Sequence, residues 1–76
     1  MERLDRITWD SRKMNGQPCV RGMRLTVRRV VEAVAEYPQW DDLHRNYPEL
    51  EPEDVRQALI YAAANLEDGA VDTVAV

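Results

Sequence analysis

Tyr47-Pro48-Glu49-Leu50-Glu51-Pro52-Glu53-Asp54-Val55-Arg56-Gln57-Ala58-Leu59-Ile60-Tyr61-Ala62 holds more information about the fold than any other stretch of this 76-residue chain. Proline in the first turn of a helix lacks only an N–H that would have no intrahelical partner, so Pro52 marks a start. Glu53 and Asp54 then lie at the positive end of the helix dipole. Val55, Leu59, Ala62 and Leu66 form an apolar stripe at helical spacing, and Gly69 is a suitable stop. A helix over 52–67 is predicted. Upstream, Asp41 and Asp42 suit the first turn of a shorter helix over 40–47, which Pro48 limits. A short helix, a tight turn and a longer helix make the order of a helix-turn-helix.

Working further outward, Val27, Val30, Val31, Val34 and Tyr37 fall on one helical face behind Thr26, a good N-cap, and Pro38 ends the pattern. This gives a first helix over 27–37. The segment before it changes period. Ile7-Thr8-Trp9 alternates in the manner of a strand, and Asn15-Gly16 tolerates positive φ at a turn. Pro18-Cys19-Val20 and Met23-Arg24-Leu25 read as two very short strands around an Arg21-Gly22 turn. Strands this short need helices or another chain to pack on. The predicted architecture is mainly α: a three-helix, helix-turn-helix domain over 1–69 with a short β element within 7–25, followed by a β-prone apolar tail over 70–76.

A chain this short buries only about 60% of its unfolded surface on folding, so a pairing copy or a bound protein would add stability. The single cysteine, Cys19, excludes an internal disulfide. The charged start, Met1-Glu2-Arg3-Leu4-Asp5-Arg6, does not resemble a signal peptide, and no apolar run reaches the roughly 20 residues of a membrane span, so a cytoplasmic protein is expected. The net charge of −4 is unevenly spread: residues 1–31 hold eight bases and three acids, a net of +5, and residues 32–76 hold two bases and eleven acids, a net of −9. Either the two halves neutralise each other on folding, or they form two surfaces for two partners.

The inventory of reactive groups is poor. His44 is the only histidine, and with one cysteine it forms no Cys/His metal set. Cys19, between Pro18 and Val20, reads as a small buried hydrophobe, and His44 as a surface residue. No catalytic residue, metal site or cofactor is expected. DNA offers two routes. In a helix-turn-helix the early residues of the last helix face base edges, which singles out Arg56 and Gln57, since arginine pairs with guanine and glutamine with adenine. Glu49, Glu51, Glu53 and Asp54 around the same helix start would repel phosphate, and a helix hairpin used for protein contacts fits them equally well. The second route is electrostatic: Arg21, Arg24, Arg28 and Arg29, with Arg45 as a further candidate, would meet phosphates. The alternative is that these arginines neutralise the acidic half.

Two motifs together carry a family resemblance. Gly16-Gln17-Pro18-Cys19-Val20-Arg21-Gly22-Met23-Arg24-Leu25 before a valine-rich helix, and Asn46-Tyr47-Pro48-Glu49-Leu50-Glu51-Pro52-Glu53-Asp54-Val55 with Ala58-Leu59-Ile60-Tyr61-Ala62, resemble the small prokaryotic antitoxins of domain-of-unknown-function family four-three-three. The resemblance runs from about Ile7 to Leu66. It implies a VapB-type antitoxin with a homeodomain-like helix-turn-helix, a PIN-like ribonuclease toxin as partner, operator DNA as a second partner, and a homodimer. The family's Pro-x-x-x-Gly element falls on Pro18 and Gly22, and its Tyr-Pro-x-Leu turn on Tyr47, Pro48 and Leu50; both read as architectural. The chain departs from the pattern at Tyr37-Pro38-Gln39-Trp40, where relatives place a glycine and a Ser or Thr cap, and at Glu51, where they often place Thr.

The expected function is toxin neutralisation coupled to autoregulation. The acidic second half would meet a basic RNA-binding groove, with Trp40, Leu66, Val71, Val74 and Val76 as its apolar contacts. A stand-alone dimeric DNA-binding regulator and a purely protein-interacting module are the alternatives.

Overall fold

The structure, a computed structural model, describes residues 3–66. A two-stranded antiparallel element, β1 (Ile7–Thr8) and β2 (Cys19–Val20), precedes three helices, α1 (Val27–Glu36), α2 (Trp40–Asn46) and α3 (Pro52–Ala64). The register pairs Ile7 with Val20 and Thr8 with Cys19. The expected mainly helical three-helix domain with a small N-terminal β element is therefore present.

Each helix begins and ends for local reasons. The Thr26 hydroxyl accepts the Arg29 N–H at 3.1 Å, capping α1, and Pro38 keeps the chain from continuing beyond it. Asp41 and Asp42 occupy the first turn of α2, and His44 and Arg45 its last, both favourable to the dipole. Pro52 opens α3, and the Asp54 carboxylate reaches back to the Glu51 N–H at 2.9 Å. The end of α3 differs from expectation. It closes at Ala64 because the Asn65 side chain donates to the Tyr61 carbonyl at 2.8 Å while its backbone N–H bonds Ala62, which tightens the last turn before Gly69 is reached.

The β element also differs in one respect. Met23-Arg24-Leu25 is not a strand. Val20 donates to Leu25 at 3.0 Å and Cys19 makes an isolated bridge to Thr26, but β2 has β1 as its ladder partner. Between them lies the expected tight turn. Met23 donates to Val20 at 2.9 Å, and the two central residues, Arg21 and Gly22, have φ of +48° and +70°. Two positive φ values define a type I′ turn, for which glycine is well suited and arginine is not. Met14, Asn15 and Gly16 form a second left-handed segment, as Asn15-Gly16 led one to expect.

The core joins Ile7, Val20 and Leu25 from the β element, Val27, Val30 and Ala33 from α1, Leu43 from α2, Leu50 from the turn and Ala58 from α3. Leu50 is 1% exposed, so the Tyr-Pro-x-Leu turn sets the angle between α2 and α3 by driving one side chain into the centre. On α3 the predicted stripe is only half right. Val55 and Ala62 pack on the core, but Leu59 and Leu66 are exposed, at 41% and 74%. The buried face instead carries Asp54, Gln57 and Ala58. Reading apolar residues alone misplaced it, because two polar side chains are accommodated inside by hydrogen bonds.

Candidate interaction surfaces

The most extensively bonded buried polar feature is a clamp at the start of α3. The Asp54 side chain is fully buried, and its carboxylate accepts from Arg21 Nε and Nη2 at 2.9 and 2.8 Å, from Arg6 Nη1 at 2.9 Å and from the Glu51 N–H. Arg21 also donates to the Glu49 carbonyl at 2.8 Å, and Arg6 to Glu51 at 2.7 Å. Burial by itself would raise the Asp54 pKa, but the bonds from Arg21, the Glu51 N–H and Arg6 outweigh it and hold the carboxyl below its usual range. Arg21 adopts its unfavourable positive φ while its guanidinium meets this carboxylate bidentately.

Gln57, one turn later, is 3% exposed. Its carbonyl accepts the Arg6 N–H at 2.8 Å, and its amide nitrogen donates to Asp5 at 3.0 Å and Glu53 at 2.8 Å. Its polar atoms therefore face β1 and its approach, not a groove of DNA. Among the described residues, buried side-chain nitrogen and oxygen atoms all have hydrogen-bond partners.

Arg21 is bonded to the Asp54 carboxylate and the Glu49 carbonyl, with its side chain 36% exposed. Arg28 pairs with Glu32 at 3.3 Å, and Arg29 meets the same carboxylate at 3.8 Å. Arg45 pairs with Asp42 at 2.9 Å, and Arg56 with Glu53 at 3.0 Å. These four side chains remain more than half exposed, so their pairs are surface contacts of small energetic weight. Arg24 is exposed beside the type I′ turn and makes no ion pair or hydrogen bond among the described residues. The structure thus separates Arg21 from Arg24, which the sequence presents as equivalent.

For protein contacts, Trp40 is 37% exposed and stacks on His44, with ring centroids 5.2 Å apart and an interplanar angle of 19°. Leu66 is exposed at the end of the described chain, while Val71, Val74 and Val76 lie outside the described residues. Cys19 is buried and His44 exposed, as expected. Among the described residues no group of three or more His, Cys, Asp or Glu is placed to hold a metal ion, and no helix is long and apolar enough to cross a membrane.

Sequence reasoning missed Asp54, Arg6 and Asp5 as members of one network. The available signal was the position of Asp54 three residues after Glu51, the place from which a carboxylate reaches back to the N-cap. The long-range arginines had no local signal.

Comparison with curated proteins and with solved structures finds no match. A family model described as a protein of unknown function, DUF433, matches residues 7–62, from β1 through most of α3, and on that match the chain belongs to the DUF433 family.

Proposed function

We propose that this domain is an antitoxin that binds and inhibits a PIN-like ribonuclease toxin and also binds the DNA of its own operon. The antitoxin and its partner rest on the resemblance of the two motifs to VapB-type antitoxins. The structural observation that supports a protein partner for the helix-turn-helix is the state of the α3 start: Gln57 is internal, and Glu49 and Glu51 are exposed around it with Glu53 half-buried. A DNA-reading helix with one arginine, Arg56, set among those carboxylates would face phosphate repulsion. A basic RNA-binding groove is the complementary surface. On this reading Trp40 and the acidic residues of α2 and α3 meet the toxin, together with Leu66 and the valines that follow it.

DNA contact is assigned to the opposite sign of charge. Arg24 is exposed at the type I′ turn, and Arg28 and Arg29 project from the first turn of α1. These side chains suit phosphate contacts, which position a protein on DNA without reading sequence. The test begins with the neighbouring open reading frame, which this reading requires to encode a PIN-like nuclease, and continues with co-purification of the two proteins and a ribonuclease assay at increasing salt. Inhibition that weakens with salt is expected. A complex that does not form at low salt would overturn the antitoxin reading.

The exposure of Arg24 also fits a stand-alone regulator. That reading requires operator binding by the isolated chain at full strength, and no effect on any neighbouring ribonuclease.

A further inference from the structure

Among the asparagines of the chain, Asn15, Asn46 and Asn65, the structure sets one apart. Asn46 ends α2 and Asn65 follows α3, and each side-chain amide donates to a carbonyl one turn earlier, at 2.9 and 2.8 Å. The residues after them, Tyr47 and Leu66, are bulky. Asn15 is exposed, its side chain makes no hydrogen bond among the described residues, and the residue after it is Gly16.

Asparagine is thermolabile because the next residue's backbone nitrogen can attack its Cγ. The nitrogen gives up its proton to solvent, the N–Cγ bond forms, ammonia leaves, and a five-membered imide remains. Water then opens either imide carbonyl, leaving aspartate or isoaspartate at that position. Glycine favours the attack, since it has no side chain to obstruct ring closure.

The resting turn holds the reacting groups apart. Ring closure needs the Gly16 nitrogen nearly eclipsed with the Asn15 Cβ about the Cα–C bond, and the Asn15 ψ of 31° turns it away. The nucleophile is also engaged: the Gly16 N–H donates to the Lys13 carbonyl at 2.9 Å, and the Gln17 N–H donates to Met14 at 3.1 Å. Yet this turn is weakly held. Asn15 tolerates its φ of +59°, but Met14 has a φ of +49° and is exposed, so packing does little to offset its strain. None of Met14, Asn15 and Gly16 is buried. A segment with few bonds and no buried side chain opens by itself while the core stays closed.

We infer that Asn15 is a site of spontaneous deamidation in the folded protein, reached when the turn over residues 13–17 opens locally. The two products differ in effect. Aspartate accepts left-handed φ much as asparagine does, so the turn re-forms with one more negative charge in the basic first half. Isoaspartate routes the main chain through the former side chain and lengthens it by one carbon. The turn that presents the Lys13 Nζ to the Gly22 carbonyl at 2.7 Å is then lost. This inference does not depend on the antitoxin reading.

Peptide mapping by mass spectrometry tests it, on the full chain held at mildly alkaline pH over a series of urea concentrations. Without urea, Asn15 should convert while Asn46 and Asn65 stay intact. Conversion should be about tenfold slower than in the unfolded chain, the effect expected of two backbone hydrogen bonds that must break. Below the unfolding transition the rate should change little with urea, because local opening exposes little surface. Met14→Gly relieves the strained φ, so it should slow conversion severalfold in the folded chain and leave the unfolded rate unchanged. In Asn15→Gly, which keeps the turn without the reactive amide, the same peptide should gain no mass. An Asn15 that stays intact until the chain unfolds, or a rate that climbs steeply with urea as global unfolding does, would overturn the proposal. Equal rates in the folded and unfolded chain, Asn46 or Asn65 converting as fast as Asn15, or a Met14→Gly chain no slower than the wild type would overturn it as well.

Discussion

The two ends of α3 bury different chemistry. At its start, Asp54 and Gln57 are inside the protein, and every polar atom they present is bonded, chiefly to Arg6, Arg21 and Asp5 from the N-terminal segment. At its far end, Tyr61 and Ala62, with Leu66 just beyond the helix, line an apolar groove that remains open. One end is closed by directional bonds within the chain; the other presents apolar side chains to an open groove. The difference explains how a domain with a small core can be specific and still have surface to offer. Hydrogen-bonded charges fix how the β element docks on α3, and apolar surface is left exposed at the other end.

If the start of α3 is the lock that this comparison makes it, Asp54→Ala is the substitution that should break it most severely. It removes the buried carboxylate from the Arg6 and Arg21 guanidinium groups, which keep Glu51 and the Glu49 carbonyl, and it removes the acceptor of the Glu51 N–H. Loss of one partner of a buried ion pair costs about 3–5 kcal/mol, and since both arginines retain partial exposure the lower figure applies. For a domain of this size that lowers Tm by on the order of 12 °C or more, measurable by thermal circular dichroism. The same clamp predicts a pH dependence. A carboxyl whose folded pKa lies below its unfolded value stabilises the fold above the unfolded pKa, and that contribution is lost as pH falls through the folded one. Wild-type stability should therefore decline from about pH 4 downward, and the Asp54→Asn profile should be flatter over the same range. Asp10, also held low by the Arg12 N–H and side chain, leaves a residual slope in both. Equal slopes would show that Asp54 is not the titrating group.

Gln57→Leu probes the second polar member. The replacement is similar in size and apolar, but it leaves the Arg6 N–H without its acceptor and takes the Gln57 donor away from the Asp5 and Glu53 carboxylates, of which Glu53 keeps Arg56. A loss of about 1–3 kcal/mol is expected from urea denaturation. A neutral result would mean that the network adds specificity without adding stability.

How much of this was legible beforehand differs between the two ends. The helices, the Thr26 cap, the Tyr-Pro-x-Leu turn and the left-handed turns at Asn15-Gly16 and Arg21-Gly22 all follow from local rules, because each depends on residues within a few positions of one another. The buried face of α3 did not follow. A period of apolar residues predicted Leu59 and Leu66 inside, whereas Asp54 and Gln57 hold those places through bonds to residues more than thirty positions away. Sequence periodicity assumes that burial selects for apolar side chains, and a polar residue satisfied by a distant partner violates the assumption without any local mark. The charge asymmetry was ambiguous for the same reason. Arg6 and Arg21 neutralise acids of the second half across the fold, while Arg24 is left facing solvent.

Arg21 allows a sharper comparison, because its backbone and side chain pull in opposite directions. Its φ of +48° disfavours any residue with a Cβ by about 1 kcal/mol, and the bidentate bond to Asp54 compensates. Arg21→Ala loses the bonds and keeps the unfavourable backbone, whereas Arg21→Gly loses the bonds but relieves the backbone. Both should be less stable than wild type, with the glycine variant ahead of the alanine variant by about 1 kcal/mol in chemical denaturation. If the alanine variant were the more stable, the turn would not be holding Arg21 in a strained conformation.

Arg24, three residues later, has neither constraint and should give the smallest effect on stability. Arg24→Ala should shift unfolding by no more than about 0.5 kcal/mol, as is usual for a surface position away from packed features. Its effect belongs to binding. If the exposed arginines beside the turn meet phosphate, the variant should weaken DNA association to a similar degree across sequences and reduce the slope of log K against log salt by about one. Arg21→Gly, by contrast, removes a side chain already bonded to Asp54, so it should leave that slope unchanged once the protein is held well below its melting temperature. A salt slope that responds to Arg21 and not to Arg24 would place the phosphate contact on the clamped arginine and reverse the division of labour that separates the two.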